Sequence, residues 1–326
     1  MNPVRQFLVK NVVVIMFTIL IIIAIPFSKL TGRLLLQEIL TSLGHNSLLV
    51  IALLFPVMAG MGLFRMVLCV GLGVIAAQIG IIYVVENWEV YGILQIMLIS
   101  VPISILLGFV IGKVMNMFRV YEITSFITVF FIVTGIYMWF AEYTLKSSRS
   151  LYGFMNIWSY DSIFQRNFAG LSFPVLNYII VAAVCAFIIW FKKTRLGGDM
   201  LAAGEDQEAA ANAGINVDRT HIIAMIISTV LACIGHIYFL QRYGILLPVH
   251  SHSQAIKFSI TALIIGGATL TKASITNALI GVVLFSLFLV LFGANMNHNI
   301  VSSGVLLYVL AMYERNRAKG DKTKIY

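Results

Sequence analysis

Residues 11–27 read "NVVVIMFTILIIIAIPF", a stretch with almost no polar side chain on any face. A helix at the surface of a soluble protein keeps one face polar, so a run of this kind is stable only where its surroundings are themselves apolar. Runs of roughly 15 to 20 such residues, the length an α-helix needs to cross a hydrocarbon core about 30 Å thick, recur along the chain. We read ten, near 11–27, 47–64, 66–85, 93–112, 123–141, 174–191, 221–240, 257–271, 275–293 and 300–313. Composition agrees: 60% of the 326 residues are hydrophobic and 11% are charged, against roughly 25% charged in an average soluble domain, and the mean hydropathy is +0.97. The expected fold class is all-α: one polytopic membrane domain over 1–326 with about ten transmembrane helices and a short helix outside the membrane. Strands are excluded as spanning elements, because alternating segments of about ten residues are absent and open sheet edges cannot be satisfied in lipid.

Lys and Arg collect at cytoplasmic helix ends. With the N-terminus inside and ten alternating spans, one side receives Arg5, Lys10, Arg65, Lys113, Arg119, Lys192, Lys193, Arg195, Arg219, Lys272, Arg315, Arg317, Lys319, Lys322 and Lys324. The other side receives only Lys29, Arg33, Lys146, Arg149, Arg166, Arg242 and Lys257. Both termini are therefore expected in the cytoplasm. The net charge of +9 follows from the same dispersed residues, which form no continuous groove for nucleic acid. The basic start "MNPVRQFLVK" resembles a signal peptide in charge, but no A-x-A site follows "IAIPFSKLTG", so the first span is expected to be retained. Cys69, Cys185 and Cys233 lie inside spans without C-x-x-C spacing, as small buried hydrophobes and not as disulfide or zinc ligands.

Between the sixth and seventh spans stands a charged, alanine-rich segment, "KKTRLGGDMLAAGEDQEAAANAGINVDRTH". Its basic opening places it on the cytoplasmic side. From Asp199, an N-cap candidate, it has strong helix formers, early acids and a stop at Gly214. A short helix over 199–216 is expected. Ala202, Ala203, Ala209, Ala210, Ala211 and Ala213 leave little bulk on it, so another surface can approach closely; an ordinary solvated loop helix fits these residues equally well.

The stretch "AAGEDQEAAANAGINVDRTHIIAMIISTVLACIGHIYFLQRYG" resembles the cytoplasmic loop and following helix of permease subunits of bacterial ABC importers, in the branch of ribose, galactoside, autoinducer and nucleoside permeases and, more distantly, branched-chain amino acid permeases. Gly204, Ala209, Ala210, Gly214, Ile215 and Val217 carry that likeness. "AIKFSITALIIGGATLTKASITNALIGVVLFSLF" is similar to a later family signature through Gly266, Gly267 and Gly281, and "GFVIGKVMNMFRVYEITSFITVFFIVTGI" to the segment between the fourth and fifth spans. Two places depart from the family pattern. "MAGMGLFRMV" lacks the acid of the usual Gly-Gly-Ile-Asp-Leu-Ser motif, and Leu270 to Ala273 read "LTKA" where Leu-Ser-Gly-Gly is usual. Both departures suit one half of a heterodimer or an unusual substrate.

The resemblance implies a transmembrane permease subunit of an ATP-driven importer in the bacterial inner membrane, moving a small neutral solute such as a sugar or nucleoside. It implies no catalytic residue and no cofactor in this chain, with ATP and Mg in a separate ABC ATPase subunit. No G-x-x-x-x-G-K-[ST] is present, the nearest string being "GGATLTKAS". The implied partners are that ATPase, a second permease subunit as homodimer or heterodimer, a periplasmic or lipid-anchored substrate-binding protein and membrane lipid. Residues 199–216 would be the coupling helix docked in an ATPase cleft, with Gly204, Glu205, Asp206, Glu208, Ala209, Ala210, Gly214 and Ile215 at the contact.

For the substrate path, "LFPVMAGMG" offers Phe55, Pro56, Gly60 and Gly62. Pro56 lacks a backbone donor, and a broken helix is tolerated in lipid where protein or a water-filled path satisfies it; kinking for packing alone is the other reading. Gly266 and Gly267 suit either close helix contact or a gate. The external loop 142–172, with Arg149, Tyr152, Trp158 and Tyr160, suits either contact with a binding protein or an interfacial aromatic belt. His250 and His252 lack the further ligands a metal site needs. A secondary transporter carries ionisable residues inside its spans, and the expected interiors here hold essentially no Asp or Glu. A channel subunit is the remaining alternative. An embedded enzyme would need H-E-x-x-H or G-x-S-x-G, and neither occurs.

Overall fold

The computed structural model describes residues 12–27, 31–87, 93–118, 122–144, 155–156, 165–168, 171–243, 245–246, 251–269, 272–292 and 304. The apolar runs form helices α1 (Val12–Ala24), α2 (Gly32–Ile51), α3 (Leu54–Met58), α4 (Leu63–Asn87), α5 (Ile93–Met117), α6 (Glu122–Thr144), α7 (Val175–Phe191), α10 (Val217–Tyr243), α11 (Ser251–Ile265) and α12 (Ile275–Phe292). Between α7 and α10 lie two short helices, α8 (Arg195–Glu205) and α9 (Gln207–Asn212). Among the described residues, 6 helices are long and apolar enough to cross a membrane, namely α2, α4, α5, α6, α10 and α12, while α1 and α7 are shorter apolar helices. The tenth expected span, 300–313, lies outside the described residues apart from Gly304.

The bundle is built around α4 and α10. Of the apolar stretch of α4, 83% is buried, and of α10 61%, against 28% for α5 and 17% for α6. The pattern on α6 shows how: Ser125, Val129, Val133, Tyr137 and Ala141 recur every four residues and are buried, leaving Ile127, Phe131, Ile132, Ile136 and Trp139 exposed. A single stripe at i, i+4 is one helix face; the rest of α6 suits lipid. Helix α10 packs on α2, α4 and α5, and α12 on α1, α2 and α11. At Gly108 a Cβ would meet the Cα of Ile226 at 2.9 Å, so α5 and α10 touch backbone to backbone, the close approach that small residues permit between membrane helices.

The second expected span needs correction. It does not run unbroken over 47–64. Its helix, α2, begins at Gly32 and ends at Ile51, followed by a turn at Ala52–Leu53, the short α3, and a second turn at Ala59–Gly60. Hydropathy hid the first half of α2 because Gln37, Glu38, Thr41, Ser42, His45, Asn46 and Ser47 interrupt it. Several of those groups are satisfied within the helix: Thr41 Oγ1 donates to Gln37 O at 2.7 Å, Ser42 Oγ to Glu38 Oε1 at 3.0 Å, and His45 Nδ1 lies 2.9 Å from Thr41 O. Glu38 therefore sits on a candidate span, contrary to the expectation that span interiors hold essentially no acid.

The break itself follows from Pro56. A residue at that position would ordinarily donate its N–H to the carbonyl of Ala52, four residues back, and proline has none to give. The freed carbonyl is taken by α10, whose Ser228 Oγ donates to Ala52 O at 2.8 Å. Ser228→Ala should leave that buried acceptor unpaired, at about 1–3 kcal/mol, seen as a lower melting temperature of the detergent-solubilised protein; an unchanged melting temperature would show that the carbonyl finds another donor.

The eighth span is also displaced. Helix α11 starts at Ser251 and stops at Ile265, not at 271, because Gly266 and Gly267 turn the chain, Gly267 with φ +84°. His252 thus lies on a helix and not in a loop, between the rings of Phe130 and Tyr137. In the segment 142–172, β1 (Met155–Asn156) pairs antiparallel with β4 (Ile245–Leu246), and β2 (Gln165–Phe168) pairs with β3 (Leu171–Pro174). These strands are far too short to span. Arg149, Tyr152, Trp158, Tyr160 and His250 lie outside the described residues.

Candidate functional site

Residues drawn from distant parts of the chain meet at one end of the bundle, around the turn Ala59–Gly62. The expected helix over 199–216 is two helices. Thr194, not Asp199, caps α8, accepting from the Gly197 N–H at 3.2 Å. Asp206 breaks the segment and caps α9, its Oδ1 accepting from the N–H groups of Glu208 at 2.9 Å and Ala209 at 3.0 Å. Carboxylates at a helix start satisfy orphan donors, which explains why a helix-rich sequence is interrupted there. Gly214, with φ +83°, ends α9 as expected.

The predicted docking residues divide between two faces. Ala203, Ala210 and Val217 form a small buried cluster, flanked by Ala202 and Ile215. Glu205, Asp206, Glu208, Ala209, Ala211, Asn212 and Gly214 are exposed. Ala210 therefore anchors α9 to the start of α10 and faces inward, while Ala209 faces out.

Gly204 and Gly60, assigned by sequence to different roles, are in contact. A Cβ on Gly60 would lie 2.8 Å from Gly204 Cα, and one on Gly204 would collide with Met58 O. Gly60 has φ +63°, a left-handed conformation that glycine adopts freely. Gln207 Nε2 donates to Gly60 O at 3.2 Å. Gly62 packs against the carboxylate of Glu122 at the start of α6. Phe55 and Pro56 are fully enclosed within the chain, Phe55 against Phe191 at 5.5 Å and Phe187 at 6.3 Å between ring centres.

Under the same turn sits Arg65, 3% exposed. Its Nη1 donates to Asn116 Oδ1 at 3.2 Å and lies 3.2 Å from His221 Nδ1. Its Nη2 donates to Met115 O at 3.0 Å, and its Nε is 3.8 Å from Glu122 Oε1. His221 Nε2 is 3.1 Å from Ala59 O, and Asn116 Nδ2 donates to Asp218 O at 2.9 Å. In the sequence Arg65 reads only as a basic helix end, and Asn116, Glu122, Gln207 and His221 belong to no motif. The available signal was a cation, an amide, an acid and an imidazole, each at the same end of a different expected span.

At the other predicted glycines, Asn277 Nδ2 donates to Gly266 O at 2.7 Å, and a Cβ on Gly281 would collide with Ala262 O. Helices α11 and α12 thus approach as a tight hairpin through Gly266 and Gly281.

The family described as branched-chain amino acid transport system, permease component, matches residues 11–310. The chain belongs to that family. A probable ABC transporter permease protein of Escherichia coli (strain K12), YphD, is 30% identical over 148 residues, 44% of this chain and 44% of its own. The xylose transport system permease protein XylH of Haemophilus influenzae is 29% identical over 161 residues, 47% of this chain and 42% of its own. The fructose import permease protein FrcC of Rhizobium meliloti is 30% identical over 194 residues, 55% of this chain and 53% of its own. The chain thus spans about half the length of the curated relatives it matches. No solved structure matches it.

Proposed function

We propose that this chain is the membrane-spanning permease subunit of an ATP-driven importer, and that α8–α9 is the segment through which a separate ATPase subunit drives it. The observation that carries this reading is the form of that segment. It is fastened to the bundle on one face by Ala203, Ala210, Gly204 and Gln207, and it presents Glu205, Asp206, Glu208, Ala209 and Ala211 on the other. Small side chains ringed by acids suit a cleft with basic rims, and the contact with Gly60 gives a push on α8–α9 a direct route to the broken span. The family match, the basic asymmetry of the helix ends and the lack of a phosphate-binding loop support the same division of labour.

The permease would work as a dimer, taking its solute from a binding protein on the far side. Relatives named for xylose and fructose support an uncharged, sugar-sized solute. The substrate path remains assigned to the neighbourhood of the broken span, with Phe55 and Pro56 closed off inside the protomer in this conformation; Gly60 and Gly62 serve the turn at its end. Orientation is tested by single cysteines in a cysteine-free chain. Asn212→Cys should react with an impermeant maleimide only from the cytoplasmic face, and Ser162→Cys only from the opposite face. Labelling of both from one face would overturn the topology. Co-expression with the ATP-binding subunit from the neighbouring reading frames tests the function: the two should co-purify, with ATP hydrolysis stimulated by the solute-loaded binding protein. A chain that transports alone would instead be a secondary transporter or channel.

A further inference from the structure

A guanidinium buried among helix ends is costly unless its donors are taken, and Arg65 spends its donors on three different helices: α5 through Asn116 and Met115, α10 through His221, and α6 through Glu122. Arginine is always a donor, so the imidazole nitrogen it meets, His221 Nδ1, must accept. The proton of His221 then sits on Nε2 and is donated to Ala59 O, 3.1 Å away. The next carbonyl along, Gly60 O, receives Gln207 Nε2 from α9. Two consecutive carbonyls of the turn that ends the broken span are therefore held by α10 and by α9 respectively.

We infer that Arg65 and His221 are positioning residues for transport: Arg65 fixes the tautomer and orientation of His221, and His221 ties the Ala59–Gly60 turn to α10, so that displacement of α8–α9 is passed to α10 and, through Arg65, to α5 and α6. The inference rests on the permease reading above. A purely static joint would be made as well or better by apolar residues.

The test uses the full complex with its ATP-binding subunit and binding protein in proteoliposomes, reading solute moved per ATP hydrolysed alongside co-purification and basal hydrolysis. Arg65→Gln should keep co-purification and basal hydrolysis within about twofold of wild type while solute moved per ATP falls about tenfold. The two amide substitutions of His221 separate its nitrogens. His221→Gln places a donor near Nε2 and should retain coupling within about threefold. His221→Asn places its polar group near Nδ1, cannot reach Ala59 O, and should lose about tenfold. If Arg65→Gln fails to insert, His221→Asn against His221→Gln carries the test unaided. Wild-type stoichiometry in both Arg65→Gln and His221→Asn overturns the inference, as does a parallel loss of assembly, hydrolysis and transport, which marks a structural role. If the wild-type chain neither binds nor stimulates an ATP-binding subunit, the permease reading itself falls first.

Discussion

Ala209→Arg is expected to reduce ATP-driven uptake at least tenfold while the chain still inserts and folds. Ala209 is exposed on the outer face of α9, so the isolated protein has room for the longer side chain. A cleft shaped to an alanine face does not: overpacking costs about 1–3 kcal/mol, and an arginine buried there without a partner costs more. Since about 1.4 kcal/mol is a tenfold change in affinity, co-purification of the ATPase subunit should fall with uptake. Ala210→Arg is the contrasting case. Ala210 lies in the cluster with Ala203 and Val217, so arginine there should unseat α9 itself, lowering the melting temperature of the permease even without its partner. Equal effects of the two substitutions on the isolated chain would contradict the two-faced arrangement.

Gly60→Val should have the second large effect. Two costs add at this position. The backbone φ of +63° is a conformation a β-branched residue adopts only under strain, and the new Cβ would stand 2.8 Å from Gly204 Cα, where backbone meets backbone. Together these are expected to cost about 3 kcal/mol or more. The turn and α8 must move apart, so uptake should be lost although the apolar helices still insert. Gly204→Val is predicted to behave alike, because its Cβ would collide with Met58 O across the same contact. By contrast, Gly198→Ala, at an exposed position with nothing within 4 Å of a new Cβ, should be close to neutral. A Gly60→Val protein with normal uptake would show that the turn is free to relax and that the contact with α8 is incidental.

The positions of the long apolar helices were legible because lipid removes any requirement for a polar face; α4, α5, α6, α10 and α12 begin within a few residues of where the hydropathy runs begin. Helix α2 was not, since eight polar residues in its first sixteen break the apolar run. What rescues it is local hydrogen bonding, such as Ser42 to Glu38, together with tertiary contacts such as Tyr178 OH donating to Leu40 O at 2.7 Å. Pro56 marked the break correctly, but the group that compensates it, Ser228, is 176 residues away in sequence and could only be found in three dimensions.

The candidate site divides in the same way. Residues 199–216 were recognisable as a short helical insertion from alanine content and Gly214, and the break at Asp206 followed a rule that was available, an Asx residue before a helical run. Which alanine faces which way was not readable, because α9 is a six-residue helix too short to show a period. The polar group around Arg65 stayed hidden for a different reason. Each member is unremarkable at the end of its own helix, and only the convergence of α4, α5, α6 and α10 turns them into a network.

Whether an ATPase subunit grips α8–α9 can be read from cysteine cross-linking in membranes holding both proteins. Ala209→Cys and Asn212→Cys should form cross-links to the ATP-binding subunit with a short bifunctional maleimide, changing in yield when ATP is added, whereas Ala210→Cys, facing the bundle, should form none. Absence of cross-links from Ala209→Cys and Asn212→Cys in a complex that still performs ATP-driven uptake would contradict the account and place the drive elsewhere on the chain.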